Sequence, residues 1–144
     1  MEIQIVENIR EKLQVIIQCK QVDSEVLRLK THIEAFDARL QAKREKEWCF
    51  VEIAEVLYFE AVENKTFLYT EREVMEVRQK LYELEMMLSE KDFIRTSKSQ
   101  IININKVKTL QPELNRTILA TMCNGERLYI SRKYVQALKK LLAV

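Results

Sequence analysis

Between Trp48 and Ile130 the chain reverses repeatedly through links too short to do anything but turn. The apolar stretches 56–62 and 66–70 are separated by Glu63-Asn64-Lys65, and 66–70 and 74–77 by Glu71-Arg72-Glu73. Stretches 117–123 and 127–130 are separated by Asn124-Gly125-Glu126, and Asn-Gly is the strongest short hairpin signal in the chain. A parallel crossover needs roughly a dozen residues or more, so such links dictate antiparallel pairing. The expected fold class is therefore mainly β, α+β overall.

The remaining pattern fills in around these hairpins. Trp48 and Phe50 fall on one face of a strand over 48–53, and residues 93–96 are extended. Residues 100–110 alternate as one strand, ended or bent by Pro112. Two helices interrupt the strands. Leu81, Leu84, Met87 and Leu88 share a face in 80–89, and Val135, Leu138, Leu141 and Leu142 are the apolar positions of 132–142, with Ser131 as its cap. Ahead of this region, β-branched runs at 3–6 and 13–19 predict two short strands. Asp23 or Ser24 opens a helix over 24–36 with Val26, Leu29, Ile33 and Phe36 at helical spacing. Residues 38–42 then alternate, and the charged stretch 43–47 marks a turn or boundary. The organisation expected is a strand–strand–helix segment over 1–44, regulatory or dimerising, followed by a β domain over 45–144.

Composition removes whole classes of function. A single histidine, His32, and a single glycine, Gly125, leave no histidine-based catalytic set and no glycine-rich phosphate loop. Cys19, Cys49 and Cys123 are odd in number and widely spaced, which argues against a disulfide framework or a zinc site and for a reducing cytoplasm. They read as small buried hydrophobes. No cofactor is expected. No apolar run approaches the roughly 18–20 residues that cross a bilayer, and the N-terminus lacks the apolar region of a secretory signal.

Charge is unevenly placed. Residues 1–90 carry 13 Lys/Arg against 19 Asp/Glu, a net of −6; residues 91–144 carry 11 against 3, a net of +8. A basic C-terminal third suits a polyanionic partner, although charge alone fits a solvated basic face equally well.

The words that fill this pattern are Val56-Leu57-Tyr58-Phe59-Glu60-Ala61-Val62-Glu63-Asn64-Lys65-Thr66-Phe67-Leu68-Tyr69-Thr70, Leu81-Tyr82-Glu83-Leu84-Glu85, Phe93-Ile94-Arg95-Thr96-Ser97-Lys98-Ser99-Gln100-Ile101-Ile102-Asn103, Asn124-Gly125-Glu126 and Ile130-Ser131-Arg132-Lys133-Tyr134. In this order and spacing, over about residues 48–142, the chain resembles the LytTR family of bacterial DNA-binding domains. It is most similar to the small stand-alone members with a short segment in front. The resemblance implies about ten short antiparallel strands with one mid-chain and one C-terminal helix. It also implies contact with DNA through three loops rather than a recognition helix. By position these are Asn64, Lys65 and Thr66; Ser97, Lys98 and Ser99; and Ser131, Arg132 and Lys133.

The chemistry of these residues agrees. Arg and Lys read guanine, Asn reads adenine, and Ser, Thr and Lys hold phosphates. Many family members carry histidine-arginine-serine where this chain has Ser97-Lys98-Ser99. Lysine lacks the planar fork, so Lys98 is expected on a phosphate. Arg132 and Lys133 occupy the first turn of a helix, where cations oppose the macrodipole. By itself Lys65 also reads as an ordinary solvated turn residue and Ser131 as a mere cap with screened charges beside it, whereas Lys98 between two serines interrupts a strand-forming stretch and is more unusual. Asn103 reads as structural, and the aromatics at strand spacing (Trp48, Phe50, Tyr58, Phe59, Phe67, Phe93) as core.

The expected function is a sequence-specific double-stranded DNA-binding transcriptional regulator, homodimeric on promoter DNA and cytoplasmic. The resemblance adds a membrane-protein regulator as a further partner. The competing readings are a protein–protein interaction module with an incidental basic face, then an RNA-binding β protein. An enzyme ranks last.

Overall fold

The computed structural model describes residues 1–7, 14–36, 39–89 and 91–143. A helix α1 (Ser24–Phe36) leads into β1 (Arg39–Arg44), β2 (Glu47–Glu52), β3 (Tyr58–Val62), β4 (Lys65–Tyr69) and β5 (Val74–Val77). Then follow α2 (Leu81–Met87), β6 (Phe93–Ser97), β7 (Gln100–Asn103), β8 (Val107–Pro112), β9 (Ile118–Met122), β10 (Arg127–Ile130) and α3 (Arg132–Leu142). Seven strands form one sheet in the order β2-β1-β5-β4-β3-β7-β6, and three form a second in the order β10-β9-β8. Every pairing is antiparallel, as the short links require.

The large sheet is buried on two sides, but over different strands. One face carries Leu40, Ala42, Val51, Phe59, Leu68, Met75, Val77 and Ile101, which pack with Leu81, Leu84 and Leu88 of α2. The other face is covered only at its β3–β7 end, where Tyr58 and Ile102 join Ile118, Ala120, Met122 and Ile130 of the small sheet and Val135 and Leu138 of α3. Strands β3 and β7 are therefore sandwiched, which is why Tyr58 and Phe59, adjacent in sequence, are both buried. Strand β2 has no such cover. Cys49 and Val51 lie on the core face, where Cys49 Sγ meets Met75 Sδ at 3.3 Å, and Trp48 and Phe50 point outward, 49% and 68% exposed. The alternation identifies two faces correctly, but the apolar-rich face is not the packed one, and these two aromatics are not core.

Three further expectations are corrected. The stretch 100–110 is not one strand. The Asn103 side chain accepts from the Asn105 N–H and donates to Val56 O at 2.8 Å, and this turns residues 104–106 into a 3-10 turn. The chain thereby passes from the large sheet into the small one, so Asn103 is structural as read. Residues 3–6 and 14–19 form no strand; β-branched runs need a partner edge, and Ile3, Ile5, Val6, Val15 and Ile16 are exposed instead. Leu13 lies outside the described residues. Cys19 and Cys123 are exposed and Cys49 is half-buried, so only Cys49 approaches the buried role.

Helix α1 forms as read. Asp23 caps it, accepting from Val26 N at 3.0 Å, and Val26, Leu29 and Ile33 are half-buried, while the Phe36 side chain lies outside what is described. The 44/45 division falls inside the β1–β2 hairpin, so the N-terminal segment contributes an interior strand to the sheet. No described helix is long and apolar enough to cross a membrane.

Candidate nucleic-acid interface

The β3–β4 hairpin closes with Val62 paired to Lys65, leaving Glu63 and Asn64 as a two-residue loop. Both have positive φ, 49° and 69°, the arrangement of a type I′ turn that matches the twist of the strands. Asparagine tolerates this conformation well; glutamate does so at a cost. The loop is held from outside: Lys80 Nζ donates to Asn64 O at 2.9 Å. Asn64 and Lys65 are exposed, whereas Thr66 is buried at the base of the hairpin. Thr66 thus belongs to the hairpin's support and its side chain is not on the surface.

The β6–β7 turn is more heavily built. Ser97 pairs with Gln100, so Lys98 and Ser99 make the loop, after a register shift between Arg95 and Ser97. Arg95 straddles the turn. Its Nε donates to Ser97 O at 2.8 Å, its Nη2 to Lys98 O at 2.5 Å, and its Nη1 to Glu85 Oε2 at 2.9 Å. Beneath, buried Thr96 donates to Gln100, and Ser99 N–H donates to Ser97 Oγ at 3.2 Å. Lys98 and Ser99 are exposed on top of this brace.

The third loop joins β10 to α3. Ser131 occupies the cap position of α3, yet its side chain makes no cap hydrogen bond. Its Oγ and its backbone N–H both donate to Thr96 O, at 3.3 and 2.9 Å. The hydroxyl is taken by β6 because the Thr96 carbonyl, already held by the Ser131 N–H, lies within its reach. Ser131 therefore fastens the loop to the β6–β7 turn and presents Arg132 and Lys133, both exposed, at the start of the helix. Lys133 Nζ lies over the Tyr134 ring, 5.6 Å from its centroid.

These ties bring the loops together. Ala61 N donates to Ser99 O at 2.8 Å, which sets the β3–β4 tip beside the β6–β7 turn. Ser131 adds the third loop to the other side of that turn. The exposed cations Lys65, Lys98, Arg132 and Lys133 share this end of the sheet, and among the described residues none of them is in an ion pair. Of the nearby carboxylates, Glu85 is engaged with Arg95 and Glu60 with the Tyr69 hydroxyl, while Glu63 is exposed at the β3–β4 tip. Burial, with Glu60 second, pushes the Tyr69 phenol up, and burial followed by a hydrogen bond to Glu126 does the same more strongly for Tyr58, stacked on it at 4.2 Å. Arg95, Thr96, Gln100 and Lys80 hold the loops and were not singled out from sequence. An arginine two residues before Ser-Lys-Ser was the available signal.

Comparison with known proteins gives this arrangement a family. Residues 46–143 match the model of the LytTr DNA-binding domain. The sensory transduction protein LytT of Bacillus anthracis is 34% identical over 100 residues, 69% of this chain and 41% of that protein. An HTH-type transcriptional regulator of Staphylococcus aureus is 29% identical over 100 residues, 69% of this chain and 67% of that protein. Among solved structures, the LytTr DNA-binding domain of a methyl-accepting/DNA response regulator from Bacillus cereus superposes with a TM-score of 0.71 at 32% identity. That match covers 75% of this chain and 99% of the other. A ten-strand antiparallel domain with exposed cations on loops at one end is of the kind that binds a nucleic acid, and this chain belongs to the LytTR DNA-binding family. It spans about two fifths of the length of the LytT protein it matches.

Proposed function

We propose that this protein is a transcriptional regulator that binds double-stranded DNA sequence-specifically through the three loops rather than through a recognition helix. The observation that carries this reading is the set of backbone ties from Ala61 to Ser99 and from Ser131 to Thr96, which gather Asn64, Lys65, Lys98, Ser99, Arg132 and Lys133 at one end of the sheet. Helix geometry supports it too. Strands separate α1, α2 and α3 from one another in the chain, and α3 commits Val135 and Leu138 to the core. No helix–turn–helix pair stands among the described residues.

Within this reading Lys98 holds a phosphate and Arg132 reads a base. Lys98 offers a point charge on a rigid turn; Arg132 offers a planar fork suited to guanine O6 and N7. Ser97, Ser99 and Ser131 position the turn and the helix start. The protein acts in the cytoplasm and binds its operator as a homodimer, since two copies on repeated half-sites raise affinity through effective concentration. The acidic segment before β1 serves dimerisation or regulation, with a membrane protein as the restraining partner.

The test begins with an operator selected from a random duplex library, followed by salt titrations on that operator and on a scrambled duplex. Lys98→Ala weakens both alike and flattens the slope of log K against log salt by about one unit. Arg132→Ala costs on the order of 1–3 kcal/mol on the operator and much less on the scrambled duplex. Reversed behaviour exchanges the two roles, and two variants indistinguishable from wild type refute the loop assignment. Sedimentation showing one protein per operator at saturation refutes the dimer.

A further inference from the structure

The edge of the sheet that carries the β3–β4 tip does not end at Lys65. Thr66 pairs with Val77, so one step further Lys65 and Arg78 stand opposite each other. On the other side of the tip, Ala61 N donates to Ser99 O, which sets β3 beside the turn that carries Lys98. Arg78 and Lys65 therefore lie in one cross-strand row, about 4.8 Å apart by strand spacing, and the turn of Lys98 stands at the end of that row beyond β3. Beyond Arg78 the row continues into β1, where Arg78 Nη2 donates to Gln41 Oε1 at 3.2 Å.

Here the surface changes character. Lys43 and Trp48 are register partners on β1 and β2. Lys43 Nζ lies 5.8 Å from the Trp48 ring centroid and Arg78 Cζ lies 5.5 Å from it. Lys43, Trp48, Lys65, Arg78 and Lys80 line one shallow groove, with Glu76 as the carboxylate among them. Four cations against one carboxylate give the groove a positive balance. Among the described residues Lys43, Lys65 and Arg78 are in no ion pair. The indole holds two cations near each other, where their mutual repulsion would otherwise spread them.

We infer that this groove is a second phosphate-binding surface, which takes the DNA backbone flanking the base pairs contacted by the three loops. Lys43 and Arg78 bind phosphates directly, and Trp48 is a positioning residue beneath them. Charge complementarity and continuity with the row through Lys65 to the turn of Lys98 both point to DNA as the occupant. The inference rests on the loop reading above and extends its footprint across β5, β1 and β2.

Trp48 is the only tryptophan in the chain, so the groove reports on itself. The full chain is titrated with a fluorescein-labelled 40-bp duplex of mixed sequence, following both duplex anisotropy and tryptophan emission. Wild type should bind with a change in Trp48 emission. Lys43→Ala and Arg78→Ala should each weaken binding about three- to tenfold at low salt and lower the salt slope by about 0.9. Glu76→Gln should tighten it about two- to threefold, because a carboxylate beside Lys43 repels an approaching phosphate. Circular dichroism checks that each variant is folded, as expected for exposed side chains. If Lys98→Ala weakens binding but Lys43→Ala and Arg78→Ala match wild type, or if emission stays constant at saturation, the groove is not part of the footprint. If wild type does not shift the anisotropy, the loop reading itself fails.

Discussion

Arg95 is the residue on which the β6–β7 turn depends. Its guanidinium makes two hydrogen bonds to carbonyls of the turn and one ion pair to Glu85, from a side chain only 19% exposed. A hydrogen bond from a charged donor contributes roughly 1.5–3 kcal/mol. Both carbonyls lie at an exposed turn and regain water when the arginine is lost, which offsets about half of that sum. The ion pair to half-exposed Glu85 adds at most about 1 kcal/mol. Arg95→Ala should therefore cost about 2–3 kcal/mol in stability, or roughly 4–12 °C in melting temperature for a domain of this size. DNA affinity should fall about tenfold, equivalent to about 1.4 kcal/mol, because Lys98 and Ser99 lose their fixed geometry. The salt slope should stay at the wild-type value, since a bracing arginine neutralises no phosphate; a drop of about one unit would make Arg95 itself a contact. Glu85→Gln is the control: it removes the ion pair, keeps both carbonyl bonds, and should leave DNA affinity unchanged. Thermal melts and anisotropy titrations measure the two effects. An Arg95→Ala protein with wild-type affinity would refute the bracing argument, whatever its stability.

Other consequences follow from the same geometry. Asn103→Leu leaves the buried Val56 carbonyl and the Asn105 N–H without their partners and should cost about 2–4 kcal/mol by urea denaturation; a loss under 1 kcal/mol would show that water replaces the amide. Burial first and Glu126 second raise the Tyr58 pKa above its unfolded value near 10, so its contribution to stability is complete below about pH 10 and is lost as pH rises through the folded value. Tyr58→Phe should flatten the alkaline limb of urea midpoints measured from pH 8 to 11, and an unchanged limb would exclude this phenol as its cause. A fragment of residues 39–144 should give the strand spectrum of the full protein by circular dichroism, whereas 45–144 lacks β1 from between β2 and β5 and should not. Native-like melting of the shorter fragment would show β1 to be dispensable.

What the sequence showed and what it hid follow one physical division. Turns are local, and so the reversals at Glu63-Asn64, Glu71-Arg72-Glu73 and Asn124-Gly125 are legible directly, with the strands on either side and the antiparallel class, whereas Ser97-Lys98-Ser99 is legible only as a polar break. At the last of these, the Gly125 N–H on Met122 O closes a tight turn and Gly125 alone is left-handed, at φ 90°, so Asn-Gly marks the reversal but the loop has three residues instead of two. Which face of a strand is buried is not local. Trp48 and Phe50 are more apolar than Cys49 and Val51, yet it is the latter pair that joins the core with Leu40, Ala42 and Met75, and nothing near β2 in sequence says which of its faces the core will take. The break at Asn103 needed the carbonyl of Val56, far away in sequence, to make a strand residue into a corner. Ser131 stands at the start of α3 as its cap position predicts, but its hydroxyl donates to Thr96 O instead of accepting from a helix N–H, because that carbonyl is supplied by another strand. The candidate site divides in the same way. Its cations could be found because loops short of carboxylates hold them, while the groups that aim them, Arg95, Thr96, Gln100 and Lys80, act through backbone carbonyls whose positions only the folded sheet defines. A surface that binds by cations can thus be proposed from sequence, but its rigidity, on which discrimination between DNA sequences depends, comes from long-range hydrogen bonds that composition and spacing do not carry.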